Sequence, residues 1–187
     1  MAGSCAAVCL QFAGMNNMPT HAKTRIERTR ALFANRNAFL DQMTTELDRG
    51  LAKAQKLGWK YAHRPNLLSD LPWLGLMLAE RRPNIQFYDY TKIPTRKDIP
   101  NNYDLTFSIS GVESFKPIIA KALSNGNLKR FAVVFSHRER IPTTWGNMKV
   151  VDGDNSDLRF LERANTVVAL YAKGKAKKDQ TGFVYQV

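Results

Sequence analysis

Arg130-Phe131-Ala132-Val133-Val134-Phe135 and Thr166-Val167-Val168-Ala169-Leu170 decide the fold class. Both runs are short, almost wholly apolar and rich in β-branched or aromatic side chains. That is the pattern of strands covered on both faces, not of strands with one wet side. Working outward, further strands are predicted at Trp59–Arg64, Ile85–Tyr90, Tyr103–Ser108, Lys149–Val151 and Gly182–Tyr185. Helical patterns separate several of them. Leu71 to Arg82 carries Trp73, Leu74, Met77 and Leu78 on one side, and a second helix is expected over Val112–Leu123. Short apolar strands alternating with crossovers predict an α/β fold with a mainly parallel sheet, or an incomplete or truncated (β/α) barrel.

The N-terminal part, residues 1–58, reads as helical, and residues 59–187 as the strand-rich part of the same single domain. Residues 1–18 are small and apolar, suiting a short helix or loop. From Thr20 to Phe33 a thin apolar stripe of Ile26, Leu32 and Phe33 is surrounded by Lys23, Arg25, Arg28 and Arg30. Such a helix either offers cations to phosphates or is a solvated face. After a break at Asn35-Arg36-Asn37, Phe39, Met43, Leu47, Leu51 and Ala54 recur at helical spacing until Gly58.

The 187 residues suffice for one domain with a sizeable core. The longest apolar runs fall far short of the ~20 residues needed to span a bilayer. The start has no basic segment before its apolar run, as a signal peptide would, so cytoplasmic location in the host cell and no membrane partner are expected. A formal charge of +12 attracts polyanions, nucleic acid foremost, with an acidic protein as the other partner class.

In parallel α/β folds ligands bind beyond the carboxyl ends of the strands. The predicted strand exits carry Arg64, Asn66, Ser69 and Asp70; then Asp89, Tyr90, Thr91 and Lys92; then Thr106, Ser108 and Ser110. Ser136, His137 and Arg138 follow the fourth. Asp152, Asp154, Ser156, Asp157 and Arg159 follow the next, and Lys173, Lys175, Lys177 and Lys178 the last. Together they form one polar rim. Asp152, Asp154 and Asp157 suit a hard cation such as Mg²⁺, with Asp70 and Asp89 as further candidate catalytic carboxylates. The plain alternative is a turn at Asp152-Gly153-Asp154, with Asp157 capping a short helix over Leu158–Glu162. A calcium loop is excluded because Arg163 stands where its glutamate belongs. Arg64, Asn66, Lys92, Ser108, Arg159, Lys173 and Lys175 are the candidate ligand- and phosphate-binding residues.

Lys173-Gly174-Lys175-Ala176-Lys177-Lys178 lacks the spacing of a phosphate loop, but suits phosphate contacts that position without reading sequence. Tyr88, Tyr90, Trp145 and Tyr171 could stack on bases or simply pack. His21, His63 and His137 show no metal spacing. Cys5 and Cys9, four apart, would bridge only with strain in a helix, and two soft ligands complete neither a zinc nor an iron–sulfur site. Inert buried thiols are the plain reading.

Gln86–Lys92, Leu105–Ser108, Val151–Phe160 and Ala172–Ala176 resemble a family encoded by bacteriophages, plasmids and prophages and named for a mycobacteriophage gene product, gene product 88. The resemblance covers nearly the whole chain and implies a mobile-element setting; it brings no assigned reaction. Arg64, Asn66, Ser69 and Asp70 match, whereas Pro65 and Leu67-Leu68 stand where the family has smaller, glycine-containing sequence. The family pattern also implies an upstream segment and a cysteine just before Met1-Ala2, so this chain is expected to be a shortened version or one begun at an internal methionine. Three cysteines ahead of a barrel-like series of strands are similar in outline to radical S-adenosylmethionine enzymes. Three thiolates there hold an iron–sulfur cluster and leave one iron open. With only Cys5 and Cys9, this chain is not expected to bind a cluster.

The leading expectation is therefore a mobile-element protein binding nucleic acid or a nucleotide at the polar rim, with Mg²⁺-dependent phosphoryl chemistry if it is an enzyme. The alternatives are a degenerate radical enzyme with Cys5 and Cys9 as residual cluster ligands, and a non-catalytic inhibitor of host defence or of a competing element.

Overall fold

The computed structural model describes residues 3–187, so Met1 and Ala2 of the N-terminal motif lie outside the described residues. Among the described residues one seven-stranded sheet is formed, in the order β1-β2-β3-β4-β7-β6-β5. Its strands are β1 (Ala62–His63), β2 (Gln86–Thr91), β3 (Tyr103–Ser108), β4 (Arg130–Phe135), β5 (Thr144–Trp145), β6 (Met148–Asp152) and β7 (Thr166–Tyr171). Every pairing is parallel except β5 with β6. The fold is thus α/β around a mainly parallel sheet, as the apolar runs indicate. The sheet is open, with β1 and β5 at its edges. The progression β1 to β4 is that of successive barrel strands, and beyond β4 the order reverses.

The helices are α1 (Gly3–Ala7), α2 (Pro19–Ala34), α3 (Arg36–Lys56), α4 (Pro72–Arg81) and α5 (Lys116–Leu123). Asn35 separates α2 from α3 because its side chain accepts from the Ala38 amide at 3.0 Å, an N-cap that starts the second helix. The expected helix at Val112–Leu123 splits into a 3₁₀ turn, Glu113–Phe115, and α5.

Alternation of side chains gives the sheet two different faces. Phe87, Leu105, Phe107, Phe131, Val133, Val167 and Ala169 point to one of them, where they pack with Leu40, Leu47, Leu74, Leu78 and Ile119 of the helices. The other face carries Tyr88, Tyr90, Ser108, Ala132, Val134 and Leu170. Part of it is covered by the β6–β7 connection, whose Phe160 ring meets Tyr88 at 5.5 Å. Arg130 fixes that connection: it bonds Asp104 at 2.6 and 2.8 Å and the carbonyls of Phe160 and Glu162.

Three more features differ from the sequence reading. Of the strand expected over Trp59–Arg64, only Ala62–His63 pairs with the sheet. Gly182–Tyr185 is not a strand; only Tyr185 bridges to Phe135, because Asp179 takes the Thr181 and Val184 amides into a local turn. Thr144–Trp145 is an unexpected strand, joined to β6 by Gly146-Asn147, with Gly146 at φ +55° as a tight hairpin requires. Among the described residues no helix is long and apolar enough to cross a membrane.

Candidate functional site

A cavity of about 910 Å³ lies on the second face of the sheet, near the carboxyl ends of β2, β3, β4 and β7. That volume suits a small-molecule ligand. Its floor is Tyr90, Ser108, Ala132, Val134 and Leu170. One wall is the loop after β1, from Arg64 to Asp70, and the facing wall is the β6–β7 connection from Gly153 to Arg159. Cys5, Val8, Cys9 and Leu10 close over it, with Lys173, Ala176 and Phe183 completing the rim.

The first wall is shaped by two buried polar residues that do not themselves line the cavity. Asp89 points to the helical face and accepts from the Asn66 amide at 3.0 Å, Asn66 Nδ2 at 2.9 Å and the Tyr103 hydroxyl at 2.9 Å. Burial pushes the Asp89 carboxyl up to about 6, against those hydrogen bonds and Arg64, which oppose the rise. Asn66 Oδ1 in turn accepts from Ser69 and the Leu71 amide, fixing the loop's exit. Asn66 and Asp89 thus position the wall. Asp70 does line the cavity, accepting from Thr91 Oγ1 at 3.0 Å and the Lys92 amide at 2.7 Å.

The second wall explains the dense polar motif. Gly153 lies so close to β7 that its amide bonds the Ala169 carbonyl at 2.8 Å. Any Cβ there would strike Val168 and Leu170. The three aspartates around it do not converge. Asp152 pairs with Arg138 at 2.9 Å outside the cavity and accepts the Asp154 amide in a turn. Asp154 accepts from the Tyr171 amide and from Lys173. Asp157 reaches across to Arg64 at 3.2 Å. The Leu158 amide is taken by Ser156, so Asp157 is not the cap of the following 3₁₀ turn, Arg159–Leu161. Among the described residues no three His, Cys, Asp or Glu side chains are grouped to hold a metal ion.

The cations converge better. Arg159 is 1% exposed and donates one bond, from Nη2 to the Gly153 carbonyl. Its Nε and Nη1 have no hydrogen-bond partner among the described residues, although the side chain lines the cavity. Arg64 stacks over Tyr90 at 4.5 Å. Lys92 donates to the Ser108 carbonyl at 3.0 Å and its hydroxyl at 3.2 Å, between the rings of Phe115 and Phe183. Burial lowers the Lys92 amine below its ordinary value, with Cys5 and Asp70 opposing. Cys5 is half-buried rather than deeply inert, and burial raises its thiol while Lys92 pulls it down.

Of the residues singled out in the sequence, the fold brings Arg64, Asp70, Lys92, Ser108, Asp154, Asp157, Arg159, Lys173, Cys5 and Cys9 around one cavity. Asp152, Asp89, Asn66 and Lys175 do not line it; the Lys175 amine sits 3.8 Å over the Phe12 ring instead. Sequence reasoning missed Arg96, which is buried and 3.7 Å from Asp70. Nothing in its loop of alternating prolines and charges marks it. The apolar floor residues were legible only as core strand.

No curated protein matches the chain, and no solved structure does. A family model, Gene product 88, matches residues 1–187, in keeping with the motifs quoted above, so the chain belongs to the Gene product 88 family.

Proposed function

We propose that this protein binds a phosphate-bearing ligand, a nucleotide or one unit of a nucleic acid, in the cavity beside Arg159. The observation that carries the reading is the buried Arg159 guanidinium beside an open space: its Nε and Nη1 have no hydrogen-bond partner among the described residues, and Asp157 and Glu162 stand only at ion-pair distance, 3.9 and 4.0 Å. Buried donors are almost always satisfied, and an unsatisfied charged donor costs free energy until an acceptor arrives. A guanidinium offers the fork that phosphate oxygens accept. Tyr90, Val134 and Leu170 supply an apolar surface for a base.

The aspartates act here as holders of cations. Arg64, Lys92, Arg159 and Lys173 face Asp70, Asp154 and Asp157 within the same lining, so the cavity is only slightly positive. Mg²⁺ would have to displace Arg138, Lys173 and Arg64 from Asp152, Asp154 and Asp157. Phosphate charge is therefore assigned to the cations, and no phosphoryl-transfer step is assigned. The setting implied by the family is a mobile element.

Calorimetric titration with nucleoside mono-, di- and triphosphates and with inorganic pyrophosphate tests the reading. Arg159→Gln should weaken binding by roughly tenfold or more, the scale of one lost charge-assisted contact. Lys173→Gln, at an exposed position, gives a second variant if Arg159→Gln fails to fold. Absence of saturable binding of all these probes by the wild type removes the proposal.

A second reading, a remnant of a radical S-adenosylmethionine site, is favoured by one observation: Cys5 and Cys9 both face this cavity. Anaerobic reconstitution without iron uptake, even with an upstream cysteine segment supplied, would eliminate it.

A further inference from the structure

Helix α2 spans sixteen residues, yet Leu32 is its one buried residue. Helices of this length are marginal in water without a packed face. Apart from Leu32, α2 is tied down by Arg25, whose Nη1 donates to the Asn16 carbonyl at 3.0 Å. Ile26 is 53% exposed and Phe33 72% exposed. An element this solvated owes its place in the molecule to something besides the core.

Its charge says what that is. At 100° per residue, positions seven apart share a flank. With Ala22, Arg25 and Leu32 turned inward, His21 and Arg28 lie along one flank and Lys23 and Arg30 along the other. The one acid, Glu27, is paired with Lys23 at 3.9 Å. Arg28 and Arg30 make no ion pair among the described residues. The basic turn Gly174–Lys178 is anchored to the same segment as α2: Lys175 stacks on Phe12, while Arg25 bonds Asn16. Lys177 and Lys178 of that turn are exposed and likewise have no ion pair among the described residues.

We infer that α2 and the Gly174–Lys178 turn form a docking surface for the phosphodiester backbone of a nucleic-acid duplex. Cations along both flanks of one helix suit a groove bounded by two phosphate strands, and contacts of this kind position without reading sequence. Ala176 of the turn reaches the rim of the Arg159 cavity, whereas the exposed cations Arg28, Arg30, Lys177 and Lys178 do not line it.

Fluorescence anisotropy with a short labelled duplex of arbitrary sequence, in DNA and RNA arms, tests the inference. For the wild type, the logarithm of affinity should fall steeply with the logarithm of salt between about 50 and 200 mM. Replacing Arg28, Arg30, Lys177 and Lys178 together by Gln should reduce that slope by about 3 to 4 units, roughly 0.9 per lost phosphate contact. All four side chains are exposed, so the variant should melt at the wild-type temperature. Pairwise replacement, Arg28 with Arg30 or Lys177 with Lys178, should each give about half the change. Calorimetric titration of the four-residue variant with a nucleoside triphosphate should match the wild type, since none of the four side chains lines the cavity, which separates this surface from it. No saturable binding of either duplex, or a slope unmoved by the four replacements, overturns the inference; a helix that docks on protein through Ile26 and Phe33 gives that result. Preference for the DNA or the RNA arm identifies which duplex the surface accepts.

Discussion

Arg64 and Asp157 form an ion pair at 3.2 Å between two loops 93 positions apart in the chain. The pair joins the two walls of the cavity, while Arg64 sits 4.5 Å over the Tyr90 ring and 3.9 Å from Asp89. A carboxylate on each side keeps the guanidinium in place, and Asp157 also stands 3.9 Å from Arg159 Nη2.

Removing the exposed partner tests that division of labour. The Asp157 side chain is 58% exposed, so its Coulombic contribution is heavily screened. Asp157→Asn is expected to cost about 0.5 kcal/mol or less in urea unfolding. It should also strengthen, not weaken, binding of a nucleotide phosphate, because Arg64 loses a competing anion. Weaker binding at unchanged stability would mean that Asp157 contacts the ligand itself.

Asp89 gives the fold a definite pH signature. Its folded value of about 6 lies above the ordinary carboxyl value of 3.8, so between those limits the folded chain holds more protons than the unfolded one. This group therefore favours folding below pH ~4, and its contribution falls as pH rises to ~6, by up to about 3 kcal/mol. Asp152 and Asp179, with lowered values, slope the opposite way. The difference between wild type and Asp89→Asn isolates the term. In urea titrations across this range, wild-type stability minus variant stability should decline with rising pH and level off above about 6. A flat difference would show that Asp89 ionises normally.

Gly153 should tolerate no side chain. A Cβ would lie 2.9 Å from the Ala169 carbonyl oxygen as well as against Val168, and the carbonyl belongs to a β7 backbone that cannot yield. Gly153→Ala should destabilise by about 1–3 kcal/mol, the usual range for overpacking. Because Arg159 bonds the Gly153 carbonyl, ligand affinity should fall with it. A variant of wild-type stability and affinity would show that the connection is free to shift.

The sheet was legible because burial on both faces leaves an unbroken signature. Tyr103–Ser108 and Arg130–Phe135 are strands to the residue. Phe183-Val184-Tyr185 has the same composition, but the nearby Asp179 captures its amides first, a local competition invisible to periodicity. The aspartate motif shows the deeper limit. Adjacency in sequence suggests one acidic site, whereas Arg138, Lys173 and Arg64 arrive from 14, 19 and 93 positions away to separate its members. Which residues share the cavity was partly readable from strand exits; which cations would keep nitrogens without a hydrogen-bond partner, at Arg64, Arg96 and Arg159, was not, since burial alone defines them.

Arg130 and Asp104 offer the sharpest test of how the covered face is held. Both side chains are nearly buried, at 7% and 12% exposure, and Arg130 also binds two carbonyls of the β6–β7 connection. Removing one member of a buried pair strands the other charge, at a cost of about 3–5 kcal/mol. Arg130→Met should therefore destabilise by that amount and loosen the connection that carries Arg159. Asp104→Asn leaves the guanidinium bound to Glu162 and Phe160, so it should cost less than Arg130→Met. Adding Asp104→Leu to Arg130→Met should recover much of the stability, since the paired replacement leaves no uncompensated charge. Affinity for the nucleotide should stay low in that double variant, because the two carbonyl contacts are still missing. Urea unfolding and calorimetry on the same three proteins separate the outcomes. Recovery of both stability and affinity in the double variant would show that the ion pair, and not the carbonyl contacts, positions the connection.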